Sequence, residues 1–125
     1  MAHERFANCI EACNTCADEC DHCAAACLQE SDPKALAHCV ALDVDCAAIC
    51  RVAAGYMARS SELAPDICSF CADVCEACAA ECEQHDMDHC RECAAACRRC
   101  AEECRRMGAS SGSRRGASSS IRPAH

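Results

Sequence analysis

Aromatic residues are almost missing from this chain: tryptophan is absent, tyrosine occurs once and phenylalanine twice in 125 residues. A core built on large rings is excluded, although 52% of the letters are apolar, because alanine and 19 cysteines supply most of that fraction. Basic charge is also in deficit. Twelve Lys and Arg against 20 Asp and Glu leave a formal charge of −8, which argues against nucleic acid as a partner, since phosphate binding needs a basic face. No apolar run is long enough to cross a bilayer, and Met1-Ala2-His3-Glu4-Arg5-Phe6-Ala7-Asn8-Cys9 lacks the apolar centre of a signal peptide. The expected location is therefore the cytoplasm, with no membrane partner. A glycine-rich phosphate loop, a dinucleotide fingerprint and a separate nucleophile-and-base set are missing too, so the chain reads as a non-enzyme. Its length suits one modest domain.

What is abundant is cysteine. In a reducing compartment a cysteine-dense chain reads as metal-binding or redox-active, not as a disulfide framework, and the odd count points the same way. The residues fall in four groups: Cys9, Cys13, Cys16, Cys20, Cys23 and Cys27; Cys39, Cys46 and Cys50; Cys68, Cys71, Cys75, Cys78 and Cys82; and Cys90, Cys93, Cys97, Cys100 and Cys104. In three groups the gaps alternate strictly between four and three residues, the a/d spacing of a heptad. Each group is one stripe on one helix. The second keeps the register if Asp43 fills its vacant position, followed by Ala53 and Met57.

The connectors agree with four helices. Ser31-Asp32-Pro33 and Ser60-Ser61-Glu62-Leu63-Ala64-Pro65-Asp66 carry cap residues and a proline suited to a helix start, and His85-Asp86-Met87-Asp88 forms the last break. The spacing predicts helices over about 3–29, 33–59, 66–84 and 88–106. Short loops make successive helices antiparallel, so the expected fold is all-α: an antiparallel up-down-up-down four-helix bundle with a cysteine-lined core. Residues 1–107 would form the bundle, and the Ser/Gly/Arg-rich stretch 108–125 a flexible tail.

A stripe from Cys9 to Cys27 extends over roughly 27 Å at helical rise, so the thiols form a tube rather than one compact site. Thiolate is soft and selects copper(I), zinc or iron–sulfur clusters. Zinc prefers closed sets of four ligands; copper(I) tolerates two or three sulfurs, and neighbours at i+3 or i+4 can grip one ion between them. Two thiolates per copper(I) leave a buried negative charge, whereas one copper per shared thiolate leaves none, which predicts loading near one ion per cysteine. The ends of the tube differ. His38, His85, Met87 and His89 meet at one end, a candidate mouth where His38, His85 and His89 are either copper ligands or solvated helix-end residues. His3, His22 and His125 read as bystanders. Phe6, Tyr56, Met57, Ile67, Phe70 and Met107 gather at the other end as a plug, the two methionines filling gaps. Asp43, a hard ligand, is a candidate for the metal set, more suited to accepting a hydrogen bond than to binding copper.

The ladder Cys9-x3-Cys13-x2-Cys16-x3-Cys20-x2-Cys23-x3-Cys27, with its counterparts from Cys68 to Cys82 and Cys90 to Cys104, resembles the bacterial copper storage proteins, in their cytosolic branch. The resemblance covers about residues 3–107. It implies a four-helix bundle holding many Cu(I) ions on its cysteines, with ions admitted at a His- or Met-bearing mouth, a homotetramer, and a copper chaperone as a potential donor. Two rivals stand beside this storage reading: a zinc or cadmium thiolate buffer, and a thiol redox reservoir, the latter opposed by the Cα separation of about 8–10 Å between facing helices. The triplet spacing also matches a radical-SAM cluster motif, but that motif belongs on a loop of a much larger barrel. Helix 2 carries Val40, Leu42, Val44, Ile49, Val52 and Tyr56 off its stripe, read either as a subunit interface or as packing within the bundle.

Overall fold

The computed structural model describes residue 4 and residues 6–110. Within them lie α1 (Ala7–Leu28), a 3-10 turn (Pro33–Leu36), α2 (Ala37–Ala58), α3 (Ala64–Cys82) and α4 (Asp88–Ser110), with no strand among the described residues. Four helices stand where four stripes predicted them. The boundaries shift by up to four residues, the first helix starting at Ala7 and the third spanning Ala64–Cys82. The second helix opens with a tight turn because Pro33 has no N–H to donate, and Ala35 N–H reaches back to Asp32 O at 3.2 Å. The last helix continues to Ser110. Of the stretch read as a tail, 111–125 lies outside the described residues, as do His3 and His125.

Each helix packs on two neighbours, α1 on α2 and α4, and α3 on α2 and α4, which closes the up-down-up-down square. The interior is mostly sulfur and methyl, with the one buried carboxyl of Asp43 among the described residues. All 19 cysteines are buried, and alanines such as Ala12, Ala17, Ala47, Ala72, Ala79 and Ala101 fill the seams between helices. Small residues there let the backbones approach, so stripes on different helices come within sulfur-to-sulfur contact. Exposed ion pairs span neighbouring helices: Arg51 of α2 meets Asp18 and Asp21 of α1, each at 3.0 Å, and Arg105 of α4 meets Asp73 and Glu76 of α3 at 2.7 and 2.9 Å. Solvated pairs of this kind add little stability; they suit the register.

The loop between α2 and α3 is tightly specified. Ser60 N–H bonds Met57 O at 3.0 Å and Ser61 N–H bonds Tyr56 O at 2.9 Å, the double bond pattern that ends a helix with a left-handed residue. Ser60 takes that conformation, φ 55°, without being glycine. Nearby, Phe6 and Met57 are buried, and Tyr56, Ile67 and Met107 pack partly buried against the core. Phe70 departs from the expected plug: it is 54% exposed. With Cys68 and Cys71 at a and d, residue 70 falls at c, which points to solvent.

Candidate metal centre

The heptad register turns every cysteine stripe to one axis, and the structure shows how the sulfurs meet there. Same-helix neighbours four residues apart lie at 3.9–4.0 Å, as in Cys16–Cys20, Cys23–Cys27, Cys46–Cys50, Cys71–Cys75, Cys93–Cys97 and Cys100–Cys104. Pairs across helices are closer. Cys9 and Cys13 each reach Cys104 at 3.6 Å, Cys16 reaches Cys97 at 3.6 Å, and Cys93 reaches Cys20 at 3.6 Å. On the other side Cys46 meets Cys75 at 3.7 Å, Cys50 meets Cys71 at 3.7 Å, and Cys39 meets Cys82 at 3.6 Å. Cys50–Cys100 at 3.8 Å and Cys46–Cys97 at 3.9 Å cross the diagonal from α2 to α4. The clamps read from sequence along single helices are thus supplemented by shorter ones between helices.

Sulfurs within 4.8 Å of one another form sets of four, including Cys13, Cys71, Cys100 and Cys104; Cys16, Cys46, Cys50 and Cys75; Cys16, Cys20, Cys46 and Cys97; Cys20, Cys78, Cys93 and Cys97; and Cys23, Cys27, Cys39 and Cys90. Cys16, Cys20, Cys46 and Cys97 each serve in at least two sets. The sets overlap into one ladder. Closed tetrahedral sites would partition the sulfurs; overlapping sets suit an ion that bridges shared thiolates.

Asp43 is wholly buried among these thiols. Its Oδ1 accepts from Cys78 at 3.2 Å, Cys93 at 3.3 Å and Cys82 at 3.7 Å, and its Oδ2 from Cys39 at 4.0 Å. Burial first, reinforced by the neighbouring Cys93 and Cys78 side chains, pushes its carboxyl up to about 10. The metal-free core therefore keeps Asp43 neutral. The same cause acts on two of the mouthward thiols, Cys27 and Cys90, while hydrogen bonds from Cys23 and Cys82 hold Cys39 low. Burial first, then the charges of Cys90 and Cys39, raises Cys27 to about 12, and burial raises Cys90 to about 11. These thiols hold their protons near neutral pH until a cation displaces them.

The three candidate histidines part company at the mouth. His89 turns Nδ1 onto the sulfurs of Cys23 and Cys90, each at 3.6 Å, and Cys27 at 4.0 Å. His85 bonds Glu81 through Nε2 at 3.0 Å, and His38 bonds the other Glu81 oxygen through Nδ1 at 3.0 Å while its side chain stays 71% exposed. Met87 packs half-buried against the core. His22 is exposed. Two carboxylates at this end escaped the sequence reading: Glu81, and Glu30, which holds His89 Nε2 at 3.0 Å. The i,i+4 spacing of Glu81 and His85 was a usable signal; Glu30 lies in a turn, where helical spacing carries no information.

Comparison with known proteins bears on the same residues. A family model described as copper storage protein matches residues 2–109. An uncharacterized cysteine-rich protein, YhjQ, of Bacillus subtilis (strain 168) is 50% identical over 78 residues, 62% of this chain and 72% of its own length. Among solved structures, the Cu(I)-bound copper storage protein BsCsp3, from Bacillus subtilis, is 49% identical with a TM-score of 0.80, covering 83% of this chain and 98% of that one. A cytosolic copper storage protein from Streptomyces lividans, described in copper loading with five coppers, is 38% identical with a TM-score of 0.82, covering 86% of this chain and 95% of its own.

Proposed function

The chain belongs to the copper storage protein family, and from that premise we propose that it stores many Cu(I) ions in the cytosol on the thiolates of Cys9 through Cys104, a binding and not a catalytic role. The observation that carries this reading is the overlap of the four-sulfur sets at Cys16, Cys20, Cys46 and Cys97. Each arriving Cu(I) displaces a thiol proton, so a thiolate shared between ions keeps the buried interior near neutral as it fills. Capacity then approaches the number of cysteines, 19. Asp43 accepts thiol hydrogen bonds in the metal-free state and is a weaker candidate ligand than its neighbours.

Ions enter at the end bearing His38, His85 and His89, with the bare Nδ1 of His89 as the first nitrogen donor beside Cys23, Cys27 and Cys90. A copper chaperone fits the role of donor at this mouth. Val44 and Val52 on the outer face of α2 are 53% and 44% exposed, which favours assembly of the bundles into a homo-oligomer, a tetramer, through that helix. Residues 1–107 are the storage unit in this reading, and residues 108–110 extend its last helix. An anaerobic Cu(I) titration of the reduced protein against a chromophoric chelator, repeated with zinc in competition, tests the whole. Loading near one copper per cysteine is expected; saturation below about four ions per chain, or displacement of copper by zinc, overturns it, because soft thiolates should favour Cu(I).

A further inference from the structure

The group behind His89 has no part in the thiol ladder, yet it decides which nitrogen the ladder meets. Glu30 lies in the turn after α1, its N–H pinned to Cys27 O at 3.2 Å, so the residue that ends the sulfur stripe and the carboxylate beside it are fixed together. That turn sets Glu30 Oε2 3.0 Å from His89 Nε2, across the gap between α1 and the first turn of α4. A carboxylate only accepts hydrogen bonds, so Nε2 must carry the proton. In the neutral ring the opposite nitrogen, Nδ1, is then the one with the lone pair, and it faces Cys23 and Cys90 at 3.6 Å and Cys27 at 4.0 Å. His89 is not on the a/d seam; with Cys90 at a, it flanks it. A ring at that position has a route to solvent, yet its side chain is only 13% exposed. Glu81 supplies the contrast, because it engages His38 through Nδ1, the nitrogen that His89 presents to sulfur.

We infer that Glu30 is a positioning residue for Cu(I) uptake: it holds His89 as the Nε2–H tautomer, with Nδ1 aimed at the Cys23, Cys27 and Cys90 sulfurs. The inference rests on the uptake reading above. A carboxylate on the far nitrogen of an imidazole ligand fixes the ring and strengthens its donor atom, and loss of such a partner costs about 10–100-fold in metal affinity or activity. Glu30 is partly solvated and outside the core, so it can be replaced without opening the bundle.

The test compares wild type, E30A, E30Q, H89A and E30A/H89A, each reduced and checked for helicity. Long-range imidazole nitrogen–proton spectra of the metal-free protein should show His89 in a fixed Nε2–H form in wild type and a tautomer average in E30A. Stopped-flow transfer from a Cu(I)–chelator complex should slow about tenfold in E30A, recover in part in E30Q, whose amide oxygen still accepts, and be no slower in E30A/H89A than in H89A. An unchanged His89 spectrum in E30A overturns the inference. So does a double variant whose slowing is the product of the single ones, since independent effects multiply. Wild-type uptake by H89A would instead sink the mouth reading, and the spectrum alone would then decide the role of Glu30.

Discussion

The two ends of the tube are built from the same four helices and carry different side chains. At one end Phe6 and Met57 are buried and Tyr56, Ile67 and Met107 pack partly buried against the core, an apolar cap beyond the last sulfur pair, Cys9 and Cys104 at 3.6 Å, with no histidine among the described residues there. At the other, Cys23, Cys27, Cys39 and Cys90 lie within 4.8 Å of one another beneath an imidazole held by a carboxylate. Apolar side chains at a helix end exclude water and hold the bundle shut; nitrogen and sulfur donors at the opposite end give a cation a graded path inward. The closed end therefore bears on stability, and the open end is the one proposed above to admit ions.

The largest way to break this comparison is at the closed end. F6A removes the ring buried at that end and should destabilise the reduced, metal-free protein by about 3–5 kcal/mol in denaturant titration; a loss under about 1 kcal/mol would mean the aromatic cap is ornamental. Next comes the boundary. Asp43 binds its proton up to about pH 10 when folded and only to about pH 4 when unfolded. The folded state thus holds the extra proton, so the stability contributed by Asp43 is full below about pH 4 and lost as pH rises toward 10, with a slope of at most about 1.4 kcal/mol per pH unit. Unfolding of apo wild type and D43N at pH 5 and pH 8 should therefore show wild type losing ground to D43N at the higher pH. Parallel curves would remove the neutral carboxyl. At the open end, replacing His38, His85 and His89 together with alanine should slow Cu(I) uptake about tenfold, the scale of losing a nitrogen donor and its support; stopped-flow rates equal to wild type would leave the two ends chemically equivalent. The smallest effect returns to the closed end, where S60G relieves a left-handed serine and should raise stability by about 0.5–1 kcal/mol.

Much of this was legible in the chain because a heptad is a statement about direction. The 3-4 spacing of the cysteines assigns every sulfur to the axis, and it places Asp43, Met57 and Phe6 on the same seam, where all are found buried. Phe70 was misplaced when residues were grouped by height along the tube and not by angle; its c position was readable from Cys68 and Cys71. Contacts between helices, such as Cys9 to Cys104 at 3.6 Å, depend on relative height and rotation, which the narrow alanine seams set and spacing within one helix does not encode. Glu30 was invisible for another reason. A turn has no period, so a carboxylate two residues past a helix end can be aimed only by the backbone bonds of that turn.

The overlap of the four-sulfur sets has a statistical consequence. Where Cys16, Cys20, Cys46 and Cys97 each belong to at least two sets, an ion filling one set would alter the seats left in the next, so in the storage reading a half-loaded core is a population of many arrangements rather than one occupied half and one vacant half. The number of such arrangements is greatest midway through filling and smallest when the core is empty or full. In the proposed storage role that configurational entropy favours intermediate loads and disfavours the final ions, so a full core is expected to release its first copper readily and its last reluctantly, with no separate gate for each ion.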